Sequence, residues 1–331
     1  MKTAVIGSGT WGMALARLLF DNGHEVKVWS AIESELKELR EKCTHKNLPG
    51  IVFDEGIVFE FDLEKAMENA DICVLSVPSI FTRATAKKMA PFYKENQIIV
   101  NVAKGIEEST LEILSDQILD EIKNADVAVL SGPSHAEEVV RLLPTTCVAG
   151  AKDMETAKII QSTFMSPVFR VYTSTDMLGI ELGGSLKNVI ALAAGISDGL
   201  GYGDNAKAAL ITRGIVEISR LGTAMGANIE TFYGLSGIGD LIVTCASKHS
   251  RNRKAGMLMG QGMSMDEAMK EVAMVVEGVY SAKAAKALAN KYNICMPIVD
   301  EVNAVLFENK DPKQAVDALM LRDKAVEKIG I

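Results

Sequence analysis

The sequence predicts an α/β protein: a doubly wound parallel sheet over residues 1–178, followed by an all-α domain over residues 179–331. Up to about residue 175, short apolar runs alternate with longer amphipathic stretches, as expected of strands covered on both faces by crossover helices. From about residue 176 the apolar spacing becomes purely helical. The length of 331 residues also exceeds what one compact core usually holds, which favours two domains.

In chain order, the expected strands are Ala4–Ile6, Val26–Trp29, Ile72–Ser76, Ile98–Val102, Val127–Leu130 and Val168–Tyr172. Helical patterns lie between several of them, at Trp11–Asp21, Glu33–Glu41, Thr82–Phe92 and Leu111–Ile122. Pro78, Pro133 and Pro144 each fall just past an apolar run, where loops belong. From Asp176 to Ser197, residues Leu182, Leu186, Val189, Ile190, Ala193 and Ile196 keep helical spacing, with Gly183, Gly184, Ala191 and Gly195 on an adjacent face. This helix is expected to join the domains directly and to put a cleft near residues 180–190, since domain interfaces favour ligands. Further helices are expected at Ala206–Leu221, Asn252–Met259, Met265–Val272, Ser281–Lys291 and Val299–Phe307. There is no internal repeat, low-complexity segment or linker.

Charge narrows the function classes. With 35 Lys+Arg against 43 Asp+Glu the net charge is −8, which argues against nucleic acid or an anionic membrane as partner, because such binding rests on a basic surface. Any anion must then be met by cations gathered locally. Cys43, Cys73, Cys147, Cys245 and Cys295 form no metal-like or redox-like spacing and read as buried free thiols of a reducing compartment. The chain opens on Lys2-Thr3-Ala4-Val5-Ile6, a strand and not a signal peptide. No apolar run reads as approaching the ~20 residues that cross a bilayer. The expectation is a cytoplasmic protein with no stable membrane insertion.

Gly7-Ser8-Gly9-Thr10-Trp11-Gly12 follows the first strand and opens the first helix, which is the context a dinucleotide-binding G-x-G-x-x-G loop requires. Gly7 suits the tight turn, Gly9 the approach of the pyrophosphate, and Gly12 the close packing of helix on strand. The helix N-terminus adds free N–H groups and the positive end of its dipole. A Rossmann domain holding NAD or NADP follows. The second strand ends Trp29-Ser30-Ala31, with neither the acid that would bind a ribose 2′-hydroxyl nor the arginine that would accept a 2′-phosphate. Glu33 comes slightly late and Lys27 lies within the strand.

Three segments carry cations that local structure explains poorly. Lys104 follows the strand ending at Val102, and strand carboxyl ends face the ligand crevice of an open α/β sheet; a surface lysine is the alternative. Lys187 and Asn188 sit among small residues in the long helix, where a lysine of lowered pKa could move a proton or merely snorkel. Ser250 looks like an N-cap, and Arg251, Arg253 and Lys254 in the helix that follows oppose its dipole. A bound anion would remove that conflict, with Arg251 able to grip a phosphate in bidentate fashion. Upstream, Leu235–Asp240 places an acid in a glycine-rich turn, to orient a hydroxyl, pair with Lys187 or Lys104, or close an Asx turn.

Taken with Val77-Pro78-Ser79, Ala103–Glu107, Ser131–Ala136, Gly184–Asn188, Gly239-Asp240-Leu241, Ser250–Arg253 and Val276-Glu277-Gly278, the glycine loop resembles the NAD(P)-dependent glycerol-3-phosphate dehydrogenases of the soluble, bacterial type. The match runs in order across nearly the whole chain. It implies a C-terminal domain of the 6-phosphogluconate dehydrogenase type and interconversion of dihydroxyacetone phosphate and sn-glycerol 3-phosphate, supplying glycerophospholipid synthesis. It implies Lys187 as the proton-transfer lysine, with Lys104 and Asp240 completing the catalytic set. Gly132 and Ser134 match substrate-contacting positions, and Ser250, Arg251 and Asn252 match the site of the substrate phosphate. Thr10, Trp11, Lys104, Ala136, Arg251, Val275 and Glu277 match positions that contact the dinucleotide. A basic residue common near Ala31 in this family, favouring NADP, is absent. No metal is implied, and the oligomeric state stays open, a homodimer among the options. The rivals are a β-hydroxyacid or 6-phosphogluconate-type dehydrogenase, disfavoured by the Ser250–Arg253 cluster and the Gly239-Asp240 turn, and a non-catalytic NAD(P)-binding protein, disfavoured by the presence of Lys187, Lys104 and Asp240.

Overall fold

The computed structural model describes residues 1–324, 326 and 327. They form two compact units: Met1–Ala103 with Leu114–Met177, and Lys104–Ile113 with the residues from Leu178 on.

The first unit is built on an eight-stranded sheet: β1 (Lys2–Ile6), β2 (Glu25–Trp29), β3 (Val58–Phe59), β4 (Ile72–Leu75), β5 (Ile98–Asn101), β6 (Asp126–Ser131), β7 (Thr145–Ala151) and β8 (Phe169–Ser174). Their order is β3-β2-β1-β4-β5-β6-β7-β8. The chain winds outward from β1 in one direction, then returns to β4 and winds in the other, so β1 and β4 flank a topological switch point. Alternate residues serve opposite faces: Val5, Val28 and Val74 pack with Met13 and Leu15 of helix Thr10–Asp21. Ala4, Ile6, Cys73 and Leu75 pack on the other face with Met67, Met89 and Ile118. Burial of both faces explains why these strands read as continuous apolar runs.

All six expected strands are present, but β3 and β7 went unread, and the sheet is not wholly parallel because β7 runs antiparallel to β6. The β6–β7 link contains only the short helix Ala136–Val139, too little for the crossover a parallel return needs. β7 escaped notice because it is Thr-Thr-Cys-Val-Ala-Gly-Ala, whose small side chains give little apolar signal. The helix expected from Leu111 begins only at Leu114. Leu111 has φ +63° and Ile106 bridges Ile113, so Lys104–Ile113 folds back as a strap. Ile106 and Ile113 enter the core of the second unit, and the Ser185 hydroxyl donates to the Gly105 carbonyl at 3.0 Å.

From Leu178 onward the second unit is built of helices among the described residues. Its axis is helix Met177–Gly199, with every residue from Gly179 to Ser197 buried. By length and composition this helix could cross a membrane, which corrects the expectation that no run comes close; Glu181 and Lys187 had broken it into shorter apolar pieces to the eye. Glycines of this helix meet neighbouring backbone. A Cβ on Gly195 would strike the Arg253 carbonyl, and one on Gly199 the Met257 carbonyl. Reciprocally, a Cβ on Gly256 would strike the Leu192 carbonyl, and one on Gly260 the Ile196 carbonyl. Two G-x-x-x-G pairs thus bring helix Arg251–Gly260 into backbone contact with the long helix.

Candidate active site

In the first unit, Gly7 follows β1 with φ +124° and lies so close to the residue after β4 that a Cβ would collide with the Ser76 carbonyl. Gly12 is pressed against the Gly7 carbonyl. Gly9 differs: a Cβ there would meet nothing within 4 Å, and it leads into helix Thr10–Asp21 with no side-chain cap. The loop therefore leaves open space and a helix N-terminus at the switch point, the setting that suits a pyrophosphate. Thr10 and Trp11 are half-buried in the first turn. Beyond β6, Gly132 has φ +149° and packs on β7, where a Cβ would lie 2.9 Å from Cys147 Cα. Ser134 Oγ donates to the Gly132 carbonyl at 2.9 Å, and Ala136, buried, opens the short helix that follows.

In the second unit, charge is concentrated where water is not. Lys187 is 5% exposed and Asp240 1% exposed. The Lys187 ammonium donates to Asp240 Oδ1 and to Thr244 Oγ1 at 2.7 Å, while Lys104 Nζ donates to Asp240 Oδ2 at 2.5 Å. One carboxylate thus separates two ammonium groups. Burial pushes Lys187 down to about 7; Lys104 pushes the same way and Asp240 opposes both. For Asp240, burial works upward, but Lys104 and then Lys187 outweigh it and hold the carboxyl below its usual range. An ammonium whose pKa lies near neutrality can give up a proton and regain it.

Asp240 does not sit in a turn. Leu235–Gly239 is a single π-helical turn and Asp240 opens helix Asp240–Ala246. The glycines serve close packing: a Cβ on Gly237 would strike the Phe232 backbone, and one on Gly183 the Ser236 carbonyl at 2.5 Å. With its oxygens taken by ammonium groups, the carboxylate closes no Asx turn. Such π turns occur often at functional sites.

A second polar chain ties neighbouring segments together. Asn252 Nδ2 donates to Asn188 Oδ1 at 2.9 Å, and Asn252 Oδ1 accepts from the Gly278 N–H at 2.9 Å, capping helix Glu277–Lys291. The residues that follow Lys187 and Arg251 are thereby hydrogen-bonded to each other, and Glu277 lies beside the same junction. Ser250 caps helix Arg251–Gly260 as expected, accepting from the Arg253 N–H at 3.2 Å. The cation conflict in that first turn is partly settled within the protein: Arg253 Nε meets Asp198 Oδ2 at 2.6 Å, and Lys207 meets Asp198 Oδ1 at 2.9 Å. Arg251 is left exposed, with no hydrogen bond or ion pair among the described residues.

Comparison with known proteins decides the family. Residues 2–157 match the N-terminal and residues 176–317 the C-terminal model of NAD-dependent glycerol-3-phosphate dehydrogenase. The chain belongs to this family. It is 65% identical over 327 residues to a glycerol-3-phosphate dehydrogenase [NAD(P)+] of Agathobacter rectalis, covering 98% of this chain and 97% of that protein. A Fusobacterium nucleatum protein of the same name is 59% identical over 330 residues, covering 99% and 98%. The crystal structure of a Coxiella burnetii glycerol-3-phosphate dehydrogenase superposes with a TM-score of 0.94 at 37% identity, over 97% of this chain and 99% of that one.

Within this dehydrogenase family member, Lys187, Lys104 and Asp240 meet at bonding distance. Ser250, Arg251 and Asn252 lie at one helix start, joined by the Asn252 side chain to Asn188, the residue after the lysine, with half-buried Val275 and Glu277 at the next helix start. Gly7, Gly9, Thr10, Trp11 and Gly12 share one loop, while Gly132, Ser134 and Ala136 share another at the end of β6. Sequence reading missed Thr244 and singled out Asn188 only as a neighbour of Lys187. The spacing Asp240–Thr244 puts both on one face of a helix, a signal visible only once Leu235–Asp240 is not read as a turn. Two thiols also depart from expectation: all five cysteines are free, but Cys43 is half-buried and Cys295 exposed. No His/Cys/Asp/Glu cluster suited to a metal occurs among the described residues.

Proposed function

We propose that the chain interconverts dihydroxyacetone phosphate and sn-glycerol 3-phosphate with NAD(P)H, as a cytoplasmic enzyme feeding glycerophospholipid synthesis. Residues 1–178 form the dinucleotide-binding domain and residues 179–331 the substrate and catalytic domain, joined by Lys104 from the strap. The observation that carries this reading is the buried Lys187 ammonium, poised near neutrality against Asp240 and Lys104. The dinucleotide, when bound on the Gly7–Gly12 loop by Gly7, Gly9, Thr10, Trp11 and Gly12, supplies the hydride that reduces the carbonyl carbon. Lys187 gives its proton to the carbonyl oxygen as that oxygen gains charge, and takes it back in the reverse direction. Asp240 fixes the ammonium and sets its charge. Lys104, held by the same carboxylate, stabilises the developing alkoxide. Arg251, unpaired among the described residues, and the N-terminus of its helix grip the phosphate with Ser250 and Asn252, contributing orientation. Gly132 and Ser134 contact substrate, and Lys104, Ala136, Arg251, Val275 and Glu277 contact the dinucleotide.

The experiment is steady-state kinetics of Lys187→Ala with NADH and dihydroxyacetone phosphate. We expect kcat to fall by about 10²–10⁴ with dinucleotide binding nearly unchanged; a kcat within about tenfold of the parent removes the role.

A further inference from the structure

Choice between the two nicotinamide dinucleotides turns on what faces the adenosine ribose beyond β2, and that edge of the first unit is specific. Ser30 is buried, and its hydroxyl accepts from the Ile32 N–H at 3.2 Å. Ala31 and Ile32 are exposed and uncharged. The first acid of helix Glu33–Lys42 is not the one that turns inward: Glu35 does, reaching back over the glycine loop to accept from Ser8 Oγ at 3.4 Å. Ser8 lies between Gly7 and Gly9, so this carboxylate is hydrogen-bonded to the glycine loop itself.

Two other groups line this edge. Lys46 Nζ approaches Glu35 Oε1 at 3.6 Å, but its side chain is 65% exposed, so it offsets the carboxylate weakly through solvent. His45 accepts the Asn47 N–H on Nδ1 at 3.1 Å and is held below its usual pKa chiefly by burial, so it brings no positive charge. Asn47 donates to Thr10 Oγ1 at 3.5 Å, fastening this segment to the helix start. The edge thus presents one inward carboxylate and one loosely held ammonium.

We propose that Glu35 is a specificity-determining residue: its carboxylate beside Ser8 repels a ribose 2′-phosphate and makes NADH the preferred dinucleotide. This rests on the dinucleotide reading of the loop given above. The phosphate-bearing cofactor would bring a dianion against a carboxylate, whereas the 2′-hydroxyl of NADH meets an acceptor.

The test is direct binding, by tryptophan fluorescence and calorimetry, of NADH and of NADPH to the parent, Glu35→Gln and Lys46→Gln proteins. The parent should bind NADH about tenfold or more tighter than NADPH, since juxtaposed like charges strongly disfavour the wrong partner. Glu35→Gln should bring the two affinities toward equality by strengthening NADPH binding, and Lys46→Gln should widen the gap. Equal or tighter NADPH binding by the parent, or an unchanged ratio in Glu35→Gln, overturns the proposal. Loss of both affinities in Glu35→Gln would make the residue a prop for the loop and also overturns it. If the parent binds neither dinucleotide, the dinucleotide reading of the loop falls as well.

Discussion

Lys187 carries a charge that burial and two neighbours contest. Burial and Lys104 drive it toward the neutral amine, while Asp240 holds the proton. Reduction of a carbonyl requires the protonated form, so kcat for reduction should fall as pH rises above about 7, and kcat for oxidation should rise over the same interval. Lys104→Ala removes the competing ammonium and should move both limbs to higher pH, as stopped-flow profiles would read; limbs left in place would show that Lys104 does not tune Lys187. A second buried acid bears on stability. Glu217 accepts from the Ile298 N–H at 2.9 Å and from the Val299 N–H at 3.4 Å, and burial raises it from 4.5 to about 7 against those bonds. Its folded pKa lies above its unfolded one, so the folded state holds the proton more tightly. The stability it contributes is therefore complete below 4.5 and lost as pH rises through about 7. Glu217→Gln should flatten that decline by up to about 3 kcal/mol in denaturant melts between pH 5 and 8.

At the scale of elements, glycine decides two different things. Gly9 and Gly12 stand three residues apart in one loop, yet only Gly12 is packed against protein. Gly9 has φ −64°, which alanine adopts without strain, so Gly9→Ala should keep the parent melting temperature while weakening NADH binding by about tenfold or more through lost approach to the pyrophosphate. Gly12→Ala should lower the melting temperature outright, because overpacking of this kind costs about 1–3 kcal/mol. The crossing of helices Met177–Gly199 and Arg251–Gly260 depends on the same residue for the same reason. Gly256→Ala would force apart the segments that carry Lys187 and Arg251. It should cost stability on that scale and raise KM for the phosphate substrate, whereas an unchanged KM would show that the crossing does not set that spacing.

For the molecule as a whole, connectivity matters as much as composition. The chain leaves the first unit at Lys104 and returns at Leu114 before leaving it again after Met177. The strap supplies two core side chains, Ile106 and Ile113, and one of the two ammonium groups on Asp240. A fragment beginning at Leu178 lacks all three. Burial of one such isoleucine contributes about 1.5–3 kcal/mol. The fragment should therefore melt well below the second unit of the intact chain, as circular dichroism would record, and a fragment as stable as the intact unit would show the strap to be dispensable.

Features with short-range causes were legible in the amino-acid order. The six bulky apolar strands, the glycine loop between strand and helix, the Ser250 cap and the apolar spacing of the long helix each follow from neighbours within a few residues, and each stands in the structure. Features set by distant partners emerged with the fold. β7 is a strand because β6 and β8 pair with it, despite small side chains of low apolar signal. Leu235–Asp240 became helical because its glycines let backbone meet backbone, which no local pattern distinguishes from a turn. Arg253 was drawn away by Asp198, 55 positions earlier, while Arg251 has no ion pair among the described residues. The protonation of Lys187 depends on burial and on charges 53 and 83 positions away in sequence. Local sequence names the groups, but the energy of a buried charge is fixed by what the fold places around it.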